Sequence, residues 1–377
     1  MSPRRLLLAV AALAGLAGPA HAVALDKEVS RRVSLGGSCV KCSLEGRKLT
    51  GASFTAANFA GANLKGADLR GAAIVASVFS DGDFRQADLR SADIVGSRFE
   101  RADFTRALMS GLEGKALQFA GAVLERAQLQ SATLVFSDFS QSQLGDAVLV
   151  GADLKGSNFS AAKGEGANFA SASLRGARLI GVRFARAILT GTDLQGASLT
   201  DGDFERANFT SASLQGASMR ARFERAVFRS ADLSGARLAG GRFARADFAN
   251  ADLSGADLRG VDLSTATGLT QDQVEDACTD GATRLPGRLR GGGACRLPRT
   301  IMINVPGAPA MMIRPPAPPA PPAPPAAAIA AARAEARAIV ASARAEMAGS
   351  REAARQSREA AREAREAAAR LRGESPR

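Results

Sequence analysis

The chain has 377 residues, enough for two or three ordinary domains, yet it holds 39 Gly, no Trp, no Tyr and one His, with Phe as the only aromatic. Composition this biased excludes an ordinary globular mixture and directs attention to repetition. The formal net charge is +12, but residues 43–265 carry 26 basic against 24 acidic side chains, so this body is nearly neutral and half of the excess sits beyond it, where it would favour anionic surfaces.

Residues 1–22, "MSPRRLLLAVAALAGLAGPAHA", read as a signal peptide: Arg4 and Arg5, an apolar run, then Ala20, His21 and Ala22 as a small-residue cleavage site. The apolar run of about 13 residues falls short of the ~20 needed to span a bilayer, so cleavage after Ala22 is expected. The mature protein would be exported, periplasmic or extracellular, with no transmembrane segment. His21 would leave with the peptide, and without imidazole the chain has no Ser-His-Asp or Cys-His nucleophile, no His acid–base work and no His metal ligand.

Residues 23–43 form an N-terminal cap segment that carries Cys39 and Cys42 in "CVKC". From residue 44 a beat begins. A large apolar residue recurs every fifth position, at 44, 49, 54 and onward to 219, then from 223 to 263, with a small residue two places before it. Only Gly114 and Gly164 break the apolar rule. Positions five apart scatter around a helix turning 100° per residue, so no apolar face could form and helix is excluded. In an extended segment, residues two apart share a face, and a period of five then requires a corner after each short strand. Phe59, Phe79, Phe99, Phe119, Phe139 and Phe159 recur every twenty residues, as do Phe84 and Phe104, and Phe184 and Phe204. Four repeats therefore make one coil of a square solenoid, with coils ~4.8 Å apart and about 11 coils in all. The single irregular step, from Met219 to Phe223, leaves the columns in order, Phe204 being followed by Phe223 and Phe243. The coil, rather than the repeat, is the constrained unit. Leu112 beside Gly114 reads as a volume-conserving exchange, and Gly164 as a dent filled by Leu144 and Phe184.

"ADLSGADLRG", "ANFAGANLKG" and their relatives resemble the pentapeptide repeat family. The resemblance implies an all-β fold, a right-handed quadrilateral parallel β-helix over residues 44–265. It implies little about activity, because the family's roles are diverse.

Residues 266–300 form a C-terminal cap. Leu269, Thr270, Gln273 and Val274 match a capping box with a hydrophobic staple and predict a short helix from Gln271 to Cys278. Residues 301–326 are a Pro/Ala-rich linker containing "RPPAPPAPPAPP", expected to be extended and polyproline-like. Residues 327–377, rich in Ala, Arg and Glu, read as a charged helical tail whose sparse large apolar residues fit a solvated single helix better than a heptad seam.

No metal site, cofactor site or catalytic group emerges. Cys39 and Cys42 lie before the rod and Cys278 and Cys295 after it, too far apart for one zinc site; in an oxidising compartment they are expected to pair as Cys39–Cys42 and Cys278–Cys295, with redox work by "CVKC" as the alternative. Arg186, Arg206, Arg225 and Arg245 share an outer column, preceded by Arg106 and Arg126. They would repel unless Glu205, Glu224 and their neighbours neutralise them, and an unneutralised ladder is a candidate groove for an anionic polymer. The stretch with Arg220, Arg222, Arg225 and Arg229 is the most basic. Val75, Val95, Val135 and Phe136 form a candidate apolar interaction strip. Asp68, Asp88, Asp193 and Asp252 read as solvated. The favoured function is a non-enzymatic spacer or interaction platform for an unidentified protein or envelope-polymer partner, with homo-oligomer formation through the rod end or the tail open. Binding of an anionic polymer or lipid surface is the alternative. Nucleic acid is not an expected partner, and a nucleic-acid mimic that inhibits a DNA-handling enzyme would need an acidic rod.

Overall fold

The computed structural model describes residues 37–293. The expected signal peptide, Cys295, the Pro/Ala-rich linker and the helical tail lie outside them. Residue by residue, each outward position pairs in parallel with the position one coil on: Asn58 with Val78, Asn63 with Asp83, Asp68 with Asp88, and so on. On one side of the first coils this pairing widens into a five-stranded parallel sheet of β1 (Ser53–Thr55), β2 (Ala73–Val75), β3 (Asp93–Val95), β4 (Glu113–Lys115) and β5 (Thr133–Val135), in chain order. The described residues form an all-β parallel solenoid with little helix.

The ladder reaches further than the repeat pattern implies. Ser38 pairs with Asn58 at the start, and Asp257 with Cys278 and Asp262 with Arg284 at the end. The coil therefore begins before residue 44 and continues past residue 265. Cys39 donates its N–H to Asn58 O at 2.7 Å, as a repeat centre does, so "CVKC" is itself the opening of the first coil rather than a separate cap.

The interior is a stack of side chains. Phe59, Phe79, Phe99, Phe119, Phe139 and Phe159 stack with ring centroids 5.4, 5.5, 5.3, 5.1 and 4.9 Å apart. Such contacts add to the burial of each ring. Leu112 and Leu117 close over Gly114, where a Cβ would sit 2.7 Å from Leu117 Cδ1 and 3.2 Å from Leu112 Cδ2. At Gly164 the space is taken by Phe184, whose Cε1 would lie 2.7 Å from an added Cβ. Leu144 is not among the nearest atoms there.

Corners come in three kinds. In most, the small residue's N–H donates back to the centre carbonyl three residues earlier, as from Ala62 to Phe59 O at 3.0 Å, and the residue between, Gly61, is left-handed with φ 66. The corners after β1 and β2 lack this bond. There a buried serine of the next coil substitutes: Ala57 N–H donates to Ser77 Oγ and Ser77 N–H to Ser97 Oγ, both at 3.1 Å, while the hydroxyls donate to carbonyls such as Phe54 O and Ile74 O. Ser137 and Ser157 do the same work for Leu117 and Ser137. At these four corners the serine in the next coil's small slot accepts an N–H that would otherwise be orphaned.

The third kind is the short step. Ala221 N–H donates to Met219 O at 2.9 Å, two residues back, and no left-handed residue intervenes. The missing residue is the left-handed one of the corner. One coil is thereby shortened by one residue, so Asp203 pairs with Arg222, Asn208 with Val227 and Ser218 with Arg237; twenty-residue pairing resumes at Arg222 and Arg242. Phe204 and Phe223 stack at 5.2 Å across it, and Phe209 and Phe228 at 5.0 Å.

After the last full coil, α1 spans Gln271–Glu275, three residues shorter than expected. Thr270 and Gln273 form its capping box, and Val274 is buried. Gln273 Nε2 also donates to Phe248 O and Ala251 O at 3.0 and 2.7 Å, satisfying carbonyls of the preceding coil.

Candidate binding surfaces of the rod

Because the interior is filled, the groups able to meet a partner are the outward side chains, in columns repeating at about 4.8 Å. Arg106, Arg126, Arg186, Arg206, Arg225 and Arg245 share one such column. All six sit at the left-handed corner position, with φ between 55 and 60, where Gly66 and Gly166 stand in other coils. This φ aims their side chains off the edge of the rod.

The column is largely neutralised. Arg126 lies 3.6 Å from Asp146, Arg186 is paired with Glu165, and Arg206 and Arg225 each lie 3.8 Å from Glu205. Between Arg126 and Arg186 the small residues Gly145 and Gly166 leave an open depression of about 400 Å³, lined also by Glu125, Asp146 and Glu165. The stretch richest in arginine is paired as well: Arg220 with Asp201, Arg222 with Asp203, Glu205 and Glu224, and Arg229 with Asp247. Arg242 and Arg245, one coil beyond this stretch, have no ion-pair partner among the described residues, and the same holds for Arg106 in the column and for Arg178, Arg183 and Arg237 beside it.

The expected apolar strip is broken. Register places Val75 beside Val95, but Lys115 stands between Val95 and Val135. Phe136, left-handed at φ 55, folds its ring over Gly156, where a Cβ would lie 2.6 Å from the ring. It packs against its own rod rather than extending the strip.

At the N-terminal end Cys39 and Cys42 form a disulfide with Cα atoms 5.4 Å apart. Cys278 is also disulfide-bonded; its expected partner, Cys295, lies outside the described residues. Among the described residues no group of His, Cys, Asp and Glu could hold a metal ion.

The polar residue before each centre does more than meet solvent. Asp68 Oδ1 accepts from Arg70 N at 3.2 Å, Asp88 from Arg90 N at 3.2 Å, Asp193 from Gln195 N at 3.1 Å and Asp252 from Ser254 N at 2.9 Å. Each carboxylate thus ties down the first residue of its corner, as Asp and Asn do in turns generally. Several also form a charged ladder: Arg70 bridges Asp68 and Asp88 at 2.7 and 3.6 Å. The Arg70 hydrogen bond holds the Asp68 carboxyl down at about 2, and Arg85 lowers Asp83 in the same way. The five-residue period alone could not separate this role from solvation, though the preference for Asp and Asn over Glu and Gln in the slot was its signal.

Pentapeptide repeats match residues 38–72, 76–111, 142–186, 187–221, 220–241 and 226–264. The chain belongs to the pentapeptide repeat family. The matches begin at residue 38, where coil pairing begins. Among solved pentapeptide repeat structures, the chain is similar to HetL, involved in heterocyst differentiation regulation in the cyanobacterium Nostoc, with 28% identity over 57% of this chain and 89% of that one and a TM-score of 0.33. It is similar to Rfr23 from the cyanobacterium Cyanothece, with 37% identity over 25% of this chain and 58% of that one and a TM-score of 0.19. It is also similar to QnrB1, a plasmid-mediated fluoroquinolone resistance protein, with 18% identity over 45% of this chain and 94% of that one and a TM-score of 0.22. No match was found among curated protein sequences.

Proposed function

We propose that this protein is a non-catalytic, exported pentapeptide repeat rod that serves as a spacer and interaction platform. The observation that carries the reading is the division of the rod into a filled interior and patterned outer columns. Phe79, Phe99, Phe119 and Phe139 are fully buried on the axis, so substrate could not enter, and recognition falls to side chains spaced at the coil rise. Support for export comes from the sequence of residues 1–22 and from the paired cysteines, which suit an oxidising compartment. Affinity capture from envelope extracts with the full chain tests the platform reading. Partners retained by the rod's outer columns should be lost when charge is reversed along one face and kept when it is reversed on another; capture indifferent to every face would remove it.

A second reading, binding of an anionic polymer or lipid surface, is favoured by Arg242 and Arg245, which lack carboxylate partners among the described residues, and by the single Glu205 shared by Arg206 and Arg225. Replacing Arg206 and Arg225 with Ser, or Arg242 and Arg245 with Ser, should weaken co-sedimentation with phosphatidylglycerol vesicles, the second pair more, with a steep fall as salt rises. Equal binding by wild type and both variants refutes it. A nucleic-acid mimic is not proposed, because the near balance of 26 basic and 24 acidic residues over 43–265 gives no acidic rod.

A further inference from the structure

One side of the rod differs from the others. Its outward ladder runs Leu108, Gln128, Val148, Asn168, Ile188, Asn208 and Val227, each paired with the next. Beside it run Ser110, Gln130, Val150, Ala170, Thr190 and Thr210. From Arg90 to Arg229 this face carries no ionisable side chain. Each end is closed by a neutralised pair, Arg90 with Asp88 and Arg229 with Asp247.

The ladder alternates. Apolar side chains, Leu108, Val148, Ile188 and Val227, recur every second coil, about 9.6 Å apart at the β spacing, with amides between them. Ile188 is 39% exposed. Three of the amide oxygens on the face are already engaged: Asn168 Oδ1 accepts from Ala170 N, Asn208 Oδ1 from Thr210 N, and, in the neighbouring column, Gln130 Oε1 from Ser110 Oγ. This leaves the amide N–H groups of Asn168, Asn208 and Gln130 turned outward with no acceptor among the described residues. The face therefore presents apolar steps at a fixed interval and, between them, hydrogen-bond donors.

A ligand for such a face needs an uncharged surface, an apolar repeat near 9.6 Å and exposed acceptors with few donors. A polyproline helix has these properties, with three residues per turn, ~3.1 Å per residue and hence ~9.3 Å per turn, and a backbone whose carbonyls are free. The sequence of this chain supplies a candidate. Residues 315–326 read Pro-Pro-Ala four times. In that conformation the four triplets repeat the same face four times and offer three carbonyls but one N–H per turn. Four triplets meet four apolar steps: three turns advance ~28 Å, against ~29 Å for the six coil spacings from Leu108 to Val227. The 21 residues between Gly293 and Pro315 can extend to about 70 Å, more than the length of the face.

We propose that this uncharged face is a docking site for a Pro-Pro-Ala polyproline helix and that residues 315–326 of the same chain occupy it. The register of one triplet to two coils supplies specificity, and the low conformational entropy of the polyproline segment lets a shallow apolar face hold it. Docking lays the linker along the rod and fixes where the following tail begins.

The test uses the full chain with a benzophenone amino acid placed at Ala317 or at Ala323, leaving every proline in place. Irradiation should give monomer-sized adducts that map to peptides of this face. Moving the probe by two triplets should move the adduct by four coils. Val148→Glu with Ile188→Glu should lower the yield about tenfold by setting carboxylates under the apolar contacts, whereas Val148→Leu with Ile188→Leu should retain it. Both positions point outward, so an unchanged urea midpoint verifies folding of each variant. Adducts on the arginine column, dimer-sized adducts, or a yield indifferent to the Glu variants would each overturn the proposal, the second assigning the face to another copy of the chain.

Discussion

Ser97 tests whether the buried serines are acceptors or merely small residues. Ala is the usual occupant of that slot, so on volume alone Ser97→Ala should be neutral. In the structure Ser97 Oγ is the acceptor for Ser77 N–H at 3.1 Å, at a corner without the usual back-bond to the centre carbonyl. Removing it leaves a fully buried N–H unpaired, which costs about 1–3 kcal/mol. Ser142 provides the control. It is equally buried and its hydroxyl donates to Phe139 O at 2.6 Å, but that carbonyl also receives Ser142 N–H, so Ser142→Ala orphans nothing and should cost about 0.5–1 kcal/mol. In a rod of this size each kcal/mol lowers the melting temperature by about 2–4 °C. Urea and thermal unfolding of both variants measure the difference, and amide exchange at Ser77 localises it. If Ser97→Ala and Ser142→Ala lose the same stability, or Ser77 keeps its protection, the acceptor argument fails.

Two further outcomes follow from the ladder and the short corner. The carboxyl of Asp68 lies at about 2 in the fold, below the ordinary value near 3.8, so its stabilisation is present above pH 4 and disappears as pH falls toward 2; at this partly exposed site it amounts to on the order of 1 kcal/mol. Asp68→Asn should flatten the acid limb of a stability-versus-pH curve between those values, and an unaltered limb contradicts the Arg70 pairing. Inserting Gly between Arg220 and Ala221 should supply the left-handed residue that this corner lacks and change stability by less than about 1 kcal/mol. Unfolding of the coils beyond residue 222 would show that the short corner is required.

Much of the fold was legible because one coil stacks on the next, so an inward column appears in the sequence as an identity every twenty residues. The Phe columns, the compensated Gly114 and the survival of the columns across residues 219–223 are of that kind. The solenoid ends were less legible. Cys39 and Cys42 occupy repeat positions but do not look like "ADLSG", so a boundary drawn on residue type stopped short of Ser38. The candidate surfaces were legible as columns but not as charges. Arg222 has acids on its own coil and the preceding one within reach, whereas Arg242 has none among the described residues, and the tally of arginines along 218–229 could not reveal that difference.

The sequence by itself determined the period, the inward residues and the alignment of the outer columns, because all three depend only on spacing along a regular coil. Tertiary structure alone decided how each corner satisfies its hydrogen bonds, which arginines find a carboxylate within reach, and that Phe136 folds over Gly156 instead of extending the valine strip. Those properties depend on which side chains become neighbours between coils and across an edge. Such neighbours lie about twenty residues apart in the chain but one coil spacing apart in space.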